Sequence, residues 1–255
     1  MPSVQSEGIR INYTVEGEGS PILLHHGLTG SSADWSYRHY VDALRDDYKL
    51  IRIDARGHGL SDKPHDPEAY RLEAMVNDVR AILDDLGINR VHYWGYSMGG
   101  RVGFGMARYA LDRLKSLTIG GFSHHDRTGP SPMLPLFQQD VEAIIAGFKQ
   151  ELGDKWLPQI EEQIRALDLK AIVAYCLSDG RFGLVASLPK VNVPCLVYAG
   201  EMDPVYNNVR ESAMLLPDAS FVSLPGVDHL SAWSRTDLVL PHVLAFLEKV
   251  ESVAT

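Results

Sequence analysis

The segment VHYWGYSMGG at residues 91–100 constrains this chain more than any other. A short, largely apolar strand runs there without a spacer into SMGGRVGFGMARYAL, whose small and apolar residues suit a helix. So abrupt a change needs a very tight turn. Gly95 and Gly99 flank Ser97 in the order Gly-x-Ser-x-Gly, which lets the backbones approach while the serine is held strained with its hydroxyl exposed. In isolation the pattern also fits a glycine-rich turn with a capping serine; the strand-to-helix context is what favours a nucleophile. The following helix would direct its positive N-terminal end at the spot where negative charge develops in acyl transfer.

Around this turn the chain alternates strand and helix. Ile9, Ile11, Tyr13 and Val15 alternate with polar residues, a turn at EGEGSP follows, and Ile22–Leu24 predicts a second strand. DWSYRHYVDALRDD has helical spacing, and LIRID predicts a strand stopping at Asp54. Leu72, Met75, Val76, Val79, Ile82, Leu83 and Leu86 trace one helix face that Gly87 is placed to end. LKSLTIGG, VPCLVYAG and ASFVSL are further strands, and a last helix is predicted from about Asp237 to Val250. Such alternation implies an α/β fold with a mostly parallel sheet covered by helices on both faces. Residues 123–190 break the rhythm with successive helical stretches, so core segments 1–122 and 191–255 are expected to carry an inserted helical cap.

At 255 residues, 45% hydrophobic and 22% charged, one globular domain is sufficient. The formal charge of −9, with no basic run, argues against nucleic acid as a partner. No apolar run approaches the roughly 18–20 residues of a membrane span, and the N-terminus lacks a secretory pattern. With only Cys176 and Cys195, buried thiols are expected rather than a disulfide framework, and a reducing, cytoplasmic location fits.

A serine hydroxyl needs a base to take its proton and a carboxylate to hold that base. His229, in LPGVDHLSAW, and Asp203, in YAGEMDPV, both follow predicted parallel strands, as Ser97 does. They are the expected general base and its orienting acid. Asp126 is a rival acid, set further from its strand end, and Asp228 reads as a loop-bracing carboxylate because neighbouring side chains in an extended loop diverge. Backbone N–H groups of Met98, directly after the nucleophile, and Leu28, in HHGLTG, are the expected oxyanion donors. Substrate contacts are expected among Trp35, His124, Phe137 and Trp156, with Met133, Leu134, Leu136 and Tyr175 as further apolar candidates. Core packing is the alternative reading for each of them.

With these residues in view, the chain resembles the α/β-hydrolase family, particularly its small-cap members: carboxylesterases, non-haem haloperoxidase-like enzymes and enol-lactonases. The carriers are His26-Gly27, DARGHGLSD from Asp54 to Asp62, GYSMGG from Gly95 to Gly100, GEMDPV from Gly200 to Val205, and His229. The resemblance implies an eight-stranded, mostly parallel sheet, the Ser97–Asp203–His229 triad, a structural role for Asp54 and Arg56, and no metal or organic cofactor. One departure is Asp228, where many relatives have glycine. The expected substrate is a small to medium carboxylic ester cleaved through an acyl-serine. Carbon–carbon hydrolysis, lactone opening or peracid formation would use the same triad, and a ligand-binding receptor on this scaffold is the non-enzymatic alternative. Oligomeric state is left open.

Overall fold

A computed structural model describes residues 1–127, 129–178 and 183–254. The first strands are β1 (Ser3–Ser6), β2 (Ile9–Glu16) and β3 (Ser20–His25), followed by two short helices, α1 (Asp34–Tyr37) and α2 (Tyr40–Leu44). Regular alternation follows with β4 (Tyr48–Ile53), α3 (Leu72–Asp85), β5 (Val91–Tyr96), α4 (Met98–Tyr109) and β6 (Leu114–Gly120). Then come α5 (Leu134–Phe137), α6 (Val141–Leu152), α7 (Pro158–Arg165) and α8 (Leu169–Leu177), with no strand between them among the described residues. Of the expected insertion, positions 128 and 179–182 lie outside the described residues. The sheet resumes with β7 (Cys195–Gly200), α9 (Tyr206–Met214) and β8 (Ala219–Leu224), and the chain closes with α10 (His229–Ser234) and α11 (Thr236–Ala254).

The eight strands form one sheet in the order β1-β2-β4-β3-β5-β6-β7-β8. The pairings of β2 with β1 and with β4 are antiparallel; from β4 across to β8 every pairing is parallel. The eighth strand, β1, has no apolar alternation to announce it, since SVQS offers only Val4, and pairing with β2 is what makes it a strand.

Every residue of β5 and of β7 is buried, as expected of central strands covered on both faces. Val91 and Tyr93 of β5 pack into the core shared with α3 and α4, whereas Trp94 and Tyr96 point into the opposite core with α1, α2 and α11. The two-residue period of the strand thus feeds two hydrophobic layers. In the second layer Trp35, Tyr40, Trp94 and Trp233 meet with ring centroids 4.6–5.5 Å apart. Such pairs add about 0.5–1.5 kcal/mol each beyond their area burial.

Helix α3 ends as its sequence requires. Gly87 takes φ +63°, its N–H donates to the Asp84 carbonyl at 3.1 Å, and Ile88 N–H donates to Leu83 at 2.8 Å. These two bonds are those of a left-handed glycine cap. Both cysteines are free and buried, and burial pushes the Cys176 thiol up to about 11 and that of Cys195 up to about 12. No helix among the described residues is long and apolar enough to cross a membrane.

The parallel course has one consequence for chemistry. The carboxyl ends of β3, β5, β7 and β8 lie along the same sheet edge, so the loops carrying Leu28, Ser97, Asp203 and His229 leave from one place.

Candidate active site

Ser97 sits between β5 and α4 at φ 52°, ψ −110°, a conformation that a residue with a side chain rarely adopts. Strain of this kind costs about 1–3 kcal/mol and persists only where surrounding structure enforces it. Here the enforcement is steric and hydrogen-bonded. A Cβ on Gly95 would lie 2.2 Å from the Gly99 carbonyl oxygen, and one on Gly99 would lie 2.1 Å from that of His25. Ser97 N–H donates to the Gly120 carbonyl at 2.8 Å, and the Ser97 carbonyl accepts from Arg101 N–H at 3.0 Å. The two glycines therefore permit a backbone approach that any side chain would block.

Asp203, three residues past β7, has one carboxylate oxygen on Val205 N–H at 2.9 Å and the other on His229 Nδ1 at 2.7 Å. A carboxylate can only accept, so Nδ1 carries the proton and Nε2 presents its lone pair. That lone pair faces Ser97 Oγ at 3.0 Å, with the hydroxyl donating. The Asp203 side chain is 1% exposed and that of His229 is 29% exposed, so the carboxylate is sealed while the imidazole is open to the cavity. Tyr96 braces this line: its hydroxyl donates to the His229 carbonyl, and its ring stacks on Trp233 at 4.8 Å.

Asp228 caps α10, its side chain accepting from Ser231 N–H at 2.7 Å. It thus fixes the start of the helix that begins with His229. Asp126 accepts from Gly183 N–H at 2.9 Å, and it is Asp203 that meets the imidazole.

The loop after β3 is held from beneath. His26 accepts Ala55 N–H on Nε2 at 3.1 Å and donates from Nδ1 to the Gly27 carbonyl at 2.7 Å. Asp54 accepts Ser32 N–H at 2.7 Å, Leu60 N–H at 3.0 Å and the Asn12 amide at 2.9 Å. Burial works to raise its pKa, yet the Leu60 and Ser32 N–H groups outweigh burial and hold the carboxyl below its usual range. Arg56 reaches the other way, into a buried bidentate pair with Asp78. Two more histidines lie under this loop, and burial pushes His25 well down and His58 down to about 3. They are neutral props. Among the described residues neither Leu28 N–H nor Met98 N–H has an acceptor within the protein.

Ser97 and His229 open into a cavity of about 70 Å³, roofed by Phe148 and Leu152 of α6 and by Ile160, Gln163 and Ile164 of α7. Its polar lining includes Asp34 and Arg38, which sequence patterning does not single out from the rest of a surface-like helix. Gln163 Nε2 donates to Ser31 Oγ at 3.0 Å and to Asp34, and the Tyr37 hydroxyl sits 2.8 Å from both Asp34 and Gln163, which ties the helical cover to the loop after β3.

None of the four expected substrate contacts lines this cavity. Trp35 is wholly buried among Tyr40, Trp94 and Trp233, because the apolar residue after the loop turns into the aromatic layer. His124 is buried against Ser212, whose hydroxyl lies 2.8 Å from its Nδ1. Phe137 is 1% exposed within the core, and Trp156 lies under the Lys149 ammonium at 5.1 Å. Trp233 is the tryptophan that does reach the cavity.

Residues 20–149, just over half the chain, match the family model for the alpha/beta hydrolase fold. The chain belongs to this family. Among curated relatives of this hydrolase, a cis-3-alkyl-4-alkyloxetan-2-one decarboxylase of Shewanella oneidensis is 28% identical, over 97% of this chain and 88% of the relative. A non-heme haloperoxidase of Rhodococcus erythropolis is 26% identical, over 97% of this chain and the whole of the relative. The solved enol-lactonase of Burkholderia xenovorans superposes with a TM-score of 0.83 at 25% identity, covering 97% of this chain and all of its own. Names within the family vary, so the reaction is argued from the site.

Proposed function

We propose that this protein is a serine hydrolase that opens a small carboxylic ester or lactone through an acyl-Ser97 intermediate. The observation that carries the reading is the continuous line from Asp203 to His229 Nδ1 at 2.7 Å and from His229 Nε2 to Ser97 Oγ at 3.0 Å, ending on a strained serine at the mouth of a cavity. As Ser97 Oγ bonds to the acyl carbon, its proton passes to Nε2, and Asp203 steadies the imidazolium. The oxyanion is met by Leu28 N–H and Met98 N–H, with the N-terminus of the twelve-residue α4 adding to the field. Collapse expels the alkoxide, which takes the proton from His229. Water then repeats the sequence and frees the acid.

The cavity is small, about 70 Å³, which favours the short end of the expected substrate range. Lactone opening involves the same acyl-serine, the alcohol remaining on the acyl chain, and the enol-lactonase likeness supports keeping it in the assignment. The test is a p-nitrophenyl ester series from acetate to decanoate, with wild type and Ser97→Ala each treated with a fluorophosphonate. Expected are an optimum at short acyl chains, labelling of the wild type only, and a loss of at least about a thousandfold in Ser97→Ala. Labelling or turnover that survives the substitution would remove Ser97 as nucleophile, and a silent wild type would favour a binding protein on this scaffold.

A further inference from the structure

A guanidinium withdrawn from water carries a penalty of several kcal/mol, which proteins ordinarily offset with a carboxylate and further hydrogen bonds. Arg38 is withdrawn without that offset. It follows α1, is only 9% exposed, and lines the same cavity as Ser97 and His229. Nη1 donates to Ser234 Oγ and the guanidinium also hydrogen-bonds the Tyr37 side chain, while Nε is sealed from solvent with no acceptor, so it is the Nη edge that is left to face a ligand. Among the described residues no carboxylate oxygen lies within 4.0 Å of the group. Asp34 shares the cavity, but one of its oxygens already takes the Tyr37 hydroxyl, the Gln163 amide and Ser31 N–H.

Rings hold Arg38 in place. Its Cζ lies 5.4 Å from the centroid of Trp233 and 5.2 Å from that of Tyr37, and Trp233 stacks on Tyr96, the residue before the nucleophile. The guanidinium is thus fixed by aromatic walls, with donor capacity left over beside the reacting serine. A planar fork of this kind matches a carboxylate better than any neutral acceptor does.

We infer that Arg38 receives a carboxylate of the substrate, so that the compound opened at Ser97 is a short acyl ester or lactone bearing a second, ionised carboxyl group. This rests on the serine hydrolase reading above and adds the substrate class. Arg38, Ser97 and His229 line one small cavity, so the two groups of the substrate are close to each other.

The experiment compares isosteric pairs: monomethyl succinate, glutarate and adipate against methyl 4-methylpentanoate, 5-methylhexanoate and 6-methylheptanoate, with acid release followed by pH-stat. The wild type is expected to favour the anionic member of at least one pair by about 10- to 100-fold in kcat/KM, the size of a buried charge-assisted hydrogen bond. Arg38→Met should bring that ratio close to one, and Arg38→Lys should restore part of it. A wild-type ratio near one at every chain length, or a ratio that survives Arg38→Met, overturns the assignment. Millimolar glutarate supplies a readout independent of turnover: it should raise the thermal unfolding midpoint of the wild type and leave that of Arg38→Met unmoved. Absence of that rise in wild type also counts against the site. Failure of Ser97 to label with fluorophosphonate sinks the hydrolase reading alone, and the glutarate shift then still decides whether Arg38 binds an anion.

Discussion

Two arginines of this protein are buried in opposite ways. Arg56, 1% exposed beneath the loop after β4, donates to both oxygens of Asp78 and to the carbonyls of Ala69 and Ala74. Arg38, 9% exposed on the cavity wall, has two hydroxyls, those of Ser234 and Tyr37, two rings and an Nε with no acceptor, but no carboxylate. In the first region the desolvation of charge is answered within the fold, and the group works as a rivet between the loop and α3. In the second it is left for something outside the chain to answer. A saturated buried charge marks structure, and an unsaturated one beside a strained serine marks recognition.

The largest effect expected from this contrast is at the rivet. Asp78→Ala leaves the Arg56 guanidinium buried with its carboxylate gone, and a loss of about 3–5 kcal/mol in unfolding free energy is expected from urea denaturation. A loss under about 1 kcal/mol would mean that the carbonyls of Ala69 and Ala74 suffice, and the contrast with Arg38 would collapse.

A cluster of intermediate exposure sharpens the scale. Glu251, its side chain 36% exposed, accepts from Ser20 Oγ at 2.7 Å, from Lys115 Nζ at 3.4 Å and from His92 Nε2. Burial acts to raise its pKa, but the Ser20 hydroxyl, His92 and Lys115 together hold it down to about 2. The folded value lies below the ordinary glutamate value of about 4.3, so the stabilisation is complete above that pH and drains away as pH falls towards 2. Solvent screening at this exposure reduces its size to about 1 kcal/mol. Between pH 6 and pH 2 the wild type should therefore lose about that much more stability than Glu251→Gln in urea melts. Equal losses in both would place Glu251 among surface pairs of no consequence.

What was legible in the sequence follows the same division between local and assembled features. The turn at Ser97 was readable because it writes its steric demands into Gly95 and Gly99, and its meeting with Asp203 and His229 because parallel strands bring their following loops to one edge. Gly87 announced its helix end through backbone chemistry confined to five residues. The cavity wall is different. Gln163 meets Asp34 across 129 positions, and Arg38 meets Trp233 through packing of α1 against α10, so no spacing in either segment records the encounter. Trp35 shows the limit most clearly: an apolar residue after the loop that follows β3 fits a pocket or a core equally well, and only the partners Tyr40, Trp94 and Trp233 decide for the core. Strand β1 escaped because its stability comes from the β2 ladder rather than from its own side chains.

The smallest expected effect tests the contrast most directly. Arg38→Met removes a hydrogen bond to Ser234 and a cation–π contact with Trp233, together about 1–2 kcal/mol of favourable interaction. It also removes a buried charge that lacks a carboxylate, and methionine refills the volume with an apolar chain that packs well on tryptophan. These terms oppose each other, so the unfolding free energy should move by no more than about 1 kcal/mol in either direction, against the several expected for Asp78→Ala. If Arg38→Met instead costs as much as breaking the Arg56 pair, the guanidinium is structural, and its open donors are an incidental feature of the wall. If it costs nothing while selectivity for the anionic ester disappears, the unsaturated charge is maintained at the expense of neither fold nor core, and its role lies in the ligand.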